Sequence, residues 1–148
     1  MSITRRELCY LLPALLPAAA DLPAFSAADD SLPSATFAFD KMPVEAAEGA
    51  EFRQILKGKL ATGESLEVHE STLPPNGSPH AAHHHAHSEM WLVREGTVQL
   101  TINGTSHVIG PGGLGFVRSN DEHGIKNIGN TPATYFVVAI GPGADSPQ

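Results

Sequence analysis

The chain has 148 residues, of which 41% are hydrophobic and 17% are charged. This composition excludes a disordered chain, and the length allows one domain with a buried core. The formal net charge of −7 argues against nucleic acid as a partner, because phosphate binding needs a basic face. Twelve prolines and fourteen glycines indicate short elements joined by many turns, which favours an all-β fold.

Residues 1–28 have the layout of an export signal. The basic pair Arg5-Arg6 precedes an apolar run of thirteen residues, Leu8 to Ala20, and small residues follow. This run is shorter than the ~20 residues of a spanning helix. Thr4-Arg5-Arg6 before apolar residues also resembles a twin-arginine signal. We therefore predict twin-arginine export to a bacterial periplasm, with cleavage of the signal and no membrane association afterwards. An ordinary secretory signal and an uncleaved anchor are the alternatives.

The only cysteine, Cys9, lies inside the predicted signal. A mature chain then has no disulfide, no cysteine metal ligand and no cysteine nucleophile. We predict a tether or edge segment at 29–51, a barrel at 52–143 and a tail at 144–148. Within the tether, Thr36 to Phe39 could form an edge strand, and Val44 to Glu51 could form a helical turn.

The predicted barrel consists of short strands separated by turns. Ser65 to Leu73 alternates, with Leu66 and Val68 on one face and Glu67 and His69 on the other. Asn103-Gly104 is a strong signal for a two-residue hairpin. The other predicted strands are Met90 to Val93, Val98 to Ile102, a strand beginning with Leu114 and Phe116, Ile125 to Ile128, and Thr134 to Ile140. Such spacing is typical of a sandwich or barrel.

Five of the eight histidines fall between His80 and His87. Gly77, His83, His85, Glu89 and Gly96 follow one another at the spacing G-x5-H-x-H-x3-E-x6-G. This spacing resembles the first motif of the cupin family. Gly112, His123 and Asn127 resemble the second motif, G-x5-P-x-G-x2-H-x3-N. There Arg118 replaces the proline and Asn120 replaces the glycine, and asparagine tolerates the left-handed backbone that glycine allows.

The resemblance implies a cupin double-stranded β-helix, or jelly-roll barrel, with one divalent transition metal held by His83, His85, Glu89 and His123. The spacing is consistent with this, because alternate residues of a strand share a face, which turns His84 away. Fe or Mn is favoured, and Zn, Ni or Cu is possible. Copper and zinc bind such ligands most tightly in open competition, and folding before export would let a cell load a weaker-binding ion. The resemblance also implies a homodimer.

Small single-domain cupins include dioxygenases, isomerases, lyases and hydrolases. We therefore expect a metal-dependent oxidoreductase of dioxygenase type that acts on a small organic substrate, with Glu89 as ligand or catalytic base. Arg118 and His87 are candidates for substrate binding, although either could be exposed, and His87 could instead support the ligands. A Lewis-acid isomerase or lyase and a non-catalytic metal- or ligand-binding protein are the alternatives. A histidine-rich tract without a folded site would need neither Glu89 nor His123.

Overall fold

A computed structural model describes residues 30–47 and 50–146; the predicted export signal at 1–28 lies outside the described residues. Within the described residues there are nine strands, a 3-10 helix at Phe39–Lys41 and no α-helix. None of this part of the chain forms a helix long and apolar enough to cross a membrane. The strands are β1 (Glu45–Ala47), β2 (Ala50–Lys59), β3 (Ser65–Leu73), β4 (Ser88–Glu95), β5 (Val98–Ile102), β6 (Thr105–Ile109), β7 (Leu114–Val117), β8 (His123–Asn127) and β9 (Ala133–Ile140).

The strands form two antiparallel sheets that enclose one core. The larger sheet has the order β1-β2-β3-β9-β4-β7, and the smaller has the order β6-β5-β8. Apolar side chains from both sheets meet between them, including Trp91, Leu100, Val117, Ile125 and Val137. The predicted all-β jelly-roll barrel is confirmed.

Local sequence signals place several elements correctly. Strand β3 has the predicted bounds, and the Asn103-Gly104 turn joins β5 to β6 with positive φ angles of 47° and 79°. These two angles define the turn that matches the twist of a hairpin. Asn120 has a φ of 65°, so it adopts the left-handed conformation expected of it.

The predicted edge strand at Thr36 to Phe39 is wrong, as is the helical turn at Val44 to Glu51. The first strands are β1 and β2, which begin inside the segment predicted as a tether. Phe39 instead packs against two arginines, with its ring centroid 4.6 Å from Arg53 Cζ and 5.1 Å from Arg94 Cζ. Both arginines pair with the fully buried Glu70 on the outer face of β3, at 3.6 Å and 2.8 Å respectively. These contacts hold the segment that contains Phe39 across the outer face of the larger sheet.

The polar face of β3 points into the barrel. Glu67 is 4% exposed, whereas Leu66 and Val68 on the opposite face are only half-buried. Leu114 and Phe116 of β7 also lie on the outside, and they are 55% and 54% exposed. The inner face thus carries a row of polar side chains, which is where the candidate site lies.

Candidate metal centre

A short pairing of two loops brings the predicted ligands together. The backbone N–H of His83 donates to the His123 carbonyl at 3.0 Å, and His123 N–H donates back at 2.8 Å. Asn120 N–H donates to the His85 carbonyl at 2.8 Å. The segment is therefore an isolated β-bridge rather than the full strand expected, but it keeps the alternation, and His84 is exposed.

Three imidazoles form the centre of the cluster. The ring centroids are 5.2 Å apart for His83 and His85, and 4.7 Å apart for each of these rings and His123. Each residue offers one ligand atom, and the three atoms lie within 4.8 Å of one another. None of the three histidines is fully exposed, because His123 is buried and His83 and His85 are half-buried. The three predicted histidines therefore converge on one point.

Backbone carbonyls fix the orientation of two of these rings. His85 Nδ1 donates to the His87 carbonyl oxygen at 2.9 Å, and His123 Nδ1 donates to the Asp121 carbonyl oxygen at 2.9 Å. A carbonyl only accepts hydrogen bonds, so in each neutral ring Nε2 carries the lone pair. Both Nε2 atoms are buried without a hydrogen-bond partner, as is Nδ1 of His83. Metal-ligating histidines are oriented by the same kind of bond through the other nitrogen.

The carboxylate of Glu89 lies against these nitrogens. Its Oε1 is 3.1 Å from His85 Nε2, and its Oε2 is 3.5 Å from His123 Nε2. Burial alone raises the pKa of Glu89, but its interactions with His123, His85 and His87 outweigh burial and lower the pKa. A carboxylate and lone-pair nitrogens at this distance attract only through a shared proton or a cation. The donor set of three imidazoles and one carboxylate fits a divalent transition metal.

A fourth histidine belongs to the cluster. His87 is 4% exposed, and its ring stacks on His85 with centroids 3.5 Å apart and an interplanar angle of 15°. Its Nε2 lies 3.4 Å from Glu89 Oε1. One potential ligand atom from each of His85, His87 and Glu89 lies within 4.8 Å of the other two. The His87 carbonyl also accepts a hydrogen bond from His85. His87 therefore contacts two of the predicted ligands, His85 and Glu89.

A cavity of about 190 Å³ opens beside the cluster. His83, Glu89 and His123 line one part of it. The other lining residues include aromatic and polar side chains from β2, β3, β4 and β9, namely Phe52, His69, Ser71, Trp91 and Tyr135. Burial raises the pKa of Tyr135, so its hydroxyl keeps its proton. No lysine or arginine lines the cavity within the described residues. The cavity thus has the candidate metal site on one side and a wall of largely uncharged side chains on the other.

Residues 69–139 match the family model described as Cupin domain. The structure resembles a cupin from Shewanella frigidimarina, with a TM-score of 0.61 and 19% identity over 73% of this chain and 92% of that chain. It also resembles a predicted oxalate decarboxylase from Thermotoga maritima, with a TM-score of 0.59 and 21% identity over 69% of this chain and 95% of that chain. This is a cupin fold.

One curated relative was also found. The mannose-1-phosphate guanylyltransferase of Klebsiella pneumoniae is 28% identical over 76 residues, which make up 51% of this chain. The chain spans only 16% of that protein's length. The likeness therefore concerns one segment of a larger protein.

Arg118 does not reach the cavity of the cupin barrel. Its side chain is 76% exposed, and its Nε donates to Asp121 Oδ2 at 3.0 Å. The guanidinium thus lies on the surface and is paired there, and its role in substrate binding stays a prediction. His80 is exposed, but its ring lies 4.3 Å from His83 and reaches the cavity lining.

The inner face of β3 adds two residues that the motifs do not contain. His69 lines the cavity, and its Nδ1 lies 3.8 Å from Oε1 of the buried Glu67. Burial lowers the pKa of His69 to about 4, and nearby charges on Glu89 and Lys57 act in opposite directions. Alternation in the sequence shows that Glu67 and His69 share a face, but not that this face is the cavity.

The second cupin motif also supplies a structural residue. Asn127 is fully buried, and its Nδ2 donates to the carbonyls of Leu73, Pro74 and Thr131. Its Oδ1 accepts from Gly129 N–H at 2.9 Å. The Asn127 backbone N–H donates to the Gly77 carbonyl at 2.9 Å. Asn127 therefore fixes the start of the loop that carries the histidines.

Proposed function

We propose that this protein is a metal-dependent enzyme of dioxygenase type that acts on a small organic substrate. One observation carries the proposal. Buried imidazole nitrogens without hydrogen-bond partners converge beside Glu89 at the edge of a cavity. Leaving a buried polar atom without a hydrogen-bond partner costs free energy, and such atoms in native proteins often mark a bound ion or a functional group. The cavity gives a small molecule access to the same point.

His83, His85, His123 and Glu89 would hold the metal, which we propose is Fe or Mn. When bound, such an ion exchanges electrons with substrate and O2, whereas a redox-inert ion acts as a Lewis acid. Side chains of the protein would shape the substrate site and transfer protons. Trp91 and Phe52 provide apolar walls that exclude water and favour a flat substrate. Glu89 can also act as a base, and its 3.4 Å contact with His87 lets the two side chains share a transferred proton.

Oxygen consumption tests the reaction type. Protein loaded with Fe(II) or Mn(II) is incubated with a panel of phenols, enols and diketones in an oxygen-electrode cell. We expect consumption of O2 in step with loss of one substrate, and none with His123→Ala. Retention of the metal with no turnover of any member would favour a binding protein instead.

A Lewis-acid isomerase or lyase is the second candidate. The contact between His87 and Glu89 favours it, because this pair beside the metal ligands could move a proton between two atoms of a substrate. The same panel separates the two functions. Product formed without O2 consumption, and at an equal rate under nitrogen, would identify the second.

We also propose export by the twin-arginine route, supported by the sequence of residues 1–28. The full chain is expressed in a bacterium, and the periplasmic and cytoplasmic fractions are compared by immunoblot. We expect the wild type in the periplasm, and the double variant Arg5→Lys with Arg6→Lys in the cytoplasm. Equal export of this variant would indicate an ordinary secretory signal.

A further inference from the structure

The wall of the cavity on β3 has a polar arrangement that the metal centre does not require. Strand pairing aligns His69 with Val137 of β9, and Val137 with Trp91 of β4. The side chain of His69 is 12% exposed, and its ring centroid lies 4.5 Å from that of Phe52. His69 therefore sits between an aromatic ring and the open space of the cavity.

Glu67 lies beside this imidazole. It lies two residues before His69 on the same face, with Oε1 3.8 Å from His69 Nδ1 and 3.9 Å from Lys57 Nζ. Nδ1 is buried and has no hydrogen-bond partner, with the Glu67 carboxylate as the nearest charged group, so Nε2 is the nitrogen that can meet a molecule in the cavity. Burying a carboxylate costs desolvation free energy, so a buried ion pair often stabilises a fold no more than apolar side chains of similar size would. This cost suggests that the pair has a function.

The size and charge of the cavity narrow the class of ligand. Its volume of about 190 Å³ is slightly above the ~150 Å³ of a protein cavity that binds benzene. Only β9 separates β3 from β4, so their backbones lie ~10 Å apart along the sheet. No lysine or arginine lines the cavity within the described residues, so its wall offers no fixed cation to a carboxylate. A single ring with uncharged oxygen groups fits this space.

We propose that His69, which lies between Phe52 and the cavity beside the buried Glu67, binds the hydroxyl group of a small uncharged phenol- or enol-type substrate. The inference rests on the proposed function, because the other end of the molecule would face the metal ligands. His69 acts here as a hydrogen-bond acceptor and determines specificity. Its low pKa keeps the His69 ring neutral near pH 7. A neutral imidazole can accept a hydrogen bond from a substrate hydroxyl, but it offers no positive charge to attract a substrate carboxylate.

Fluorescence of Trp91 provides the test, because it is the only tryptophan of the chain and it lines the cavity. Three probes of similar size are titrated into the full-length, metal-loaded protein: phenol, its methyl ether anisole, which has no O–H group, and benzoate. The titrations are repeated after the metal is removed. We expect phenol to bind more than ~10-fold more tightly than anisole in both states, and more tightly than benzoate in the metal-free state.

Replacing His69 should remove this preference. In His69→Phe, phenol and anisole should bind within about twofold of each other, and His69→Gln, which keeps an acceptor, should restore part of the difference. His107→Phe is the matched control, because His107 is exposed on β6 and does not line the cavity. A phenol preference that persists in a folded His69→Phe protein would overturn the inference, as would equal binding of phenol and anisole by the wild type.

Failure of this inference can be told from failure of the proposed function. The metal content of each sample is measured alongside the titrations. Wild-type protein that retains its metal but shows no phenol preference would overturn only the role of His69. Wild-type protein that binds no metal would overturn the proposed function, while a phenol preference lost in His69→Phe would still support the role of His69 in the cavity.

Discussion

His85 Nε2 lies 3.1 Å from Glu89 Oε1, while His85 Nδ1 donates to the backbone carbonyl of His87. The second contact leaves a lone pair on Nε2 that faces a carboxylate. Such an arrangement is stable when a cation is shared between the two groups. His87 is the residue that joins both contacts, because its carbonyl accepts from His85 and its ring meets Glu89 at 3.4 Å.

His87 should therefore raise metal affinity without binding the metal itself. His87→Phe keeps an aromatic ring to stack on His85 but removes the hydrogen bond to Glu89. We expect the dissociation constant of the metal to rise by ~10-fold or more, which is typical of losing a group that orients a ligand. A competitive chelator titration measures it, with His84→Phe as control. An unchanged constant in His87→Phe would show that the contact has no such role.

Asn127 should contribute strongly to the stability of the fold. Asn127→Ala leaves the Leu73, Pro74 and Thr131 carbonyls without their donor, inside a region where Asn127 is fully buried. We expect a loss of ~3 kcal/mol in the free energy of unfolding, at about 1 kcal/mol for each net hydrogen bond. Urea unfolding measures it. The neighbouring exposed residue gives the control Asn130→Ala, which should change stability by less than ~0.5 kcal/mol.

The stability of the metal-free protein should decrease as the pH is lowered, because of His69. Its pKa is lowered to about 4 in the fold, mainly by burial, whereas an unfolded histidine titrates near ~6.5. Between these values the unfolded chain binds more protons, so the free energy of unfolding rises with pH across this window. The neutral ring of His69 should account for ~3 kcal/mol of the change, at 1.36 kcal/mol per unit.

Urea unfolding between about pH 7 and about pH 4 would measure this dependence. In His69→Gln the slope should become shallower, and in His107→Gln it should match the wild type. Glu67, Lys57 and Glu89 remain in both variants, so their own titration largely cancels in the comparison. Identical slopes for His69→Gln and the wild type would show that His69 titrates normally in the fold.

The homodimer implied by the family resemblance stays a prediction, and the outer face of the larger sheet offers a surface for it. Leu92 and Leu114 are paired neighbours on β4 and β7, and with Phe116 they are about half exposed. We expect light scattering to give the mass of two chains, and Phe116→Ser to give that of one. Val108→Ser, at an exposed position of the other sheet, should remain a dimer. A monomeric wild type would contradict the prediction.

Much of the fold follows from short-range signals. The bounds of β3, the Asn103-Gly104 hairpin and the meeting of His83 with His85 all depend on a two-residue period or on one turn. The approach of His123 to these histidines is a long-range contact, and the motif spacing of the cupin family predicted it. The structure brings all four predicted ligands together.

Other features could not be predicted from the sequence, because they depend on which distant residues a strand face or a side chain contacts in the folded barrel. Alternation in β3 separates Leu66 from Glu67, but the barrel buries the polar side because the cavity lies there. Phe39 leaves the predicted edge strand because two arginines on distant strands bind its ring. Arg118 is near His123 in sequence, yet its pairing with Asp121 turns it towards solvent.

The metal content of the protein tests the central claim most directly. Wild-type protein isolated from its own host is analysed by elemental mass spectrometry beside His83→Ala, Glu89→Ala and His123→Ala, with the exposed His84→Ala as matched control. We expect about one ion of a single element per chain in the wild type and in the control, and its loss in the other three. Variable metal that survives both Glu89→Ala and His123→Ala would mean that residues 80–87 are only a histidine-rich tract, and would contradict the metal centre.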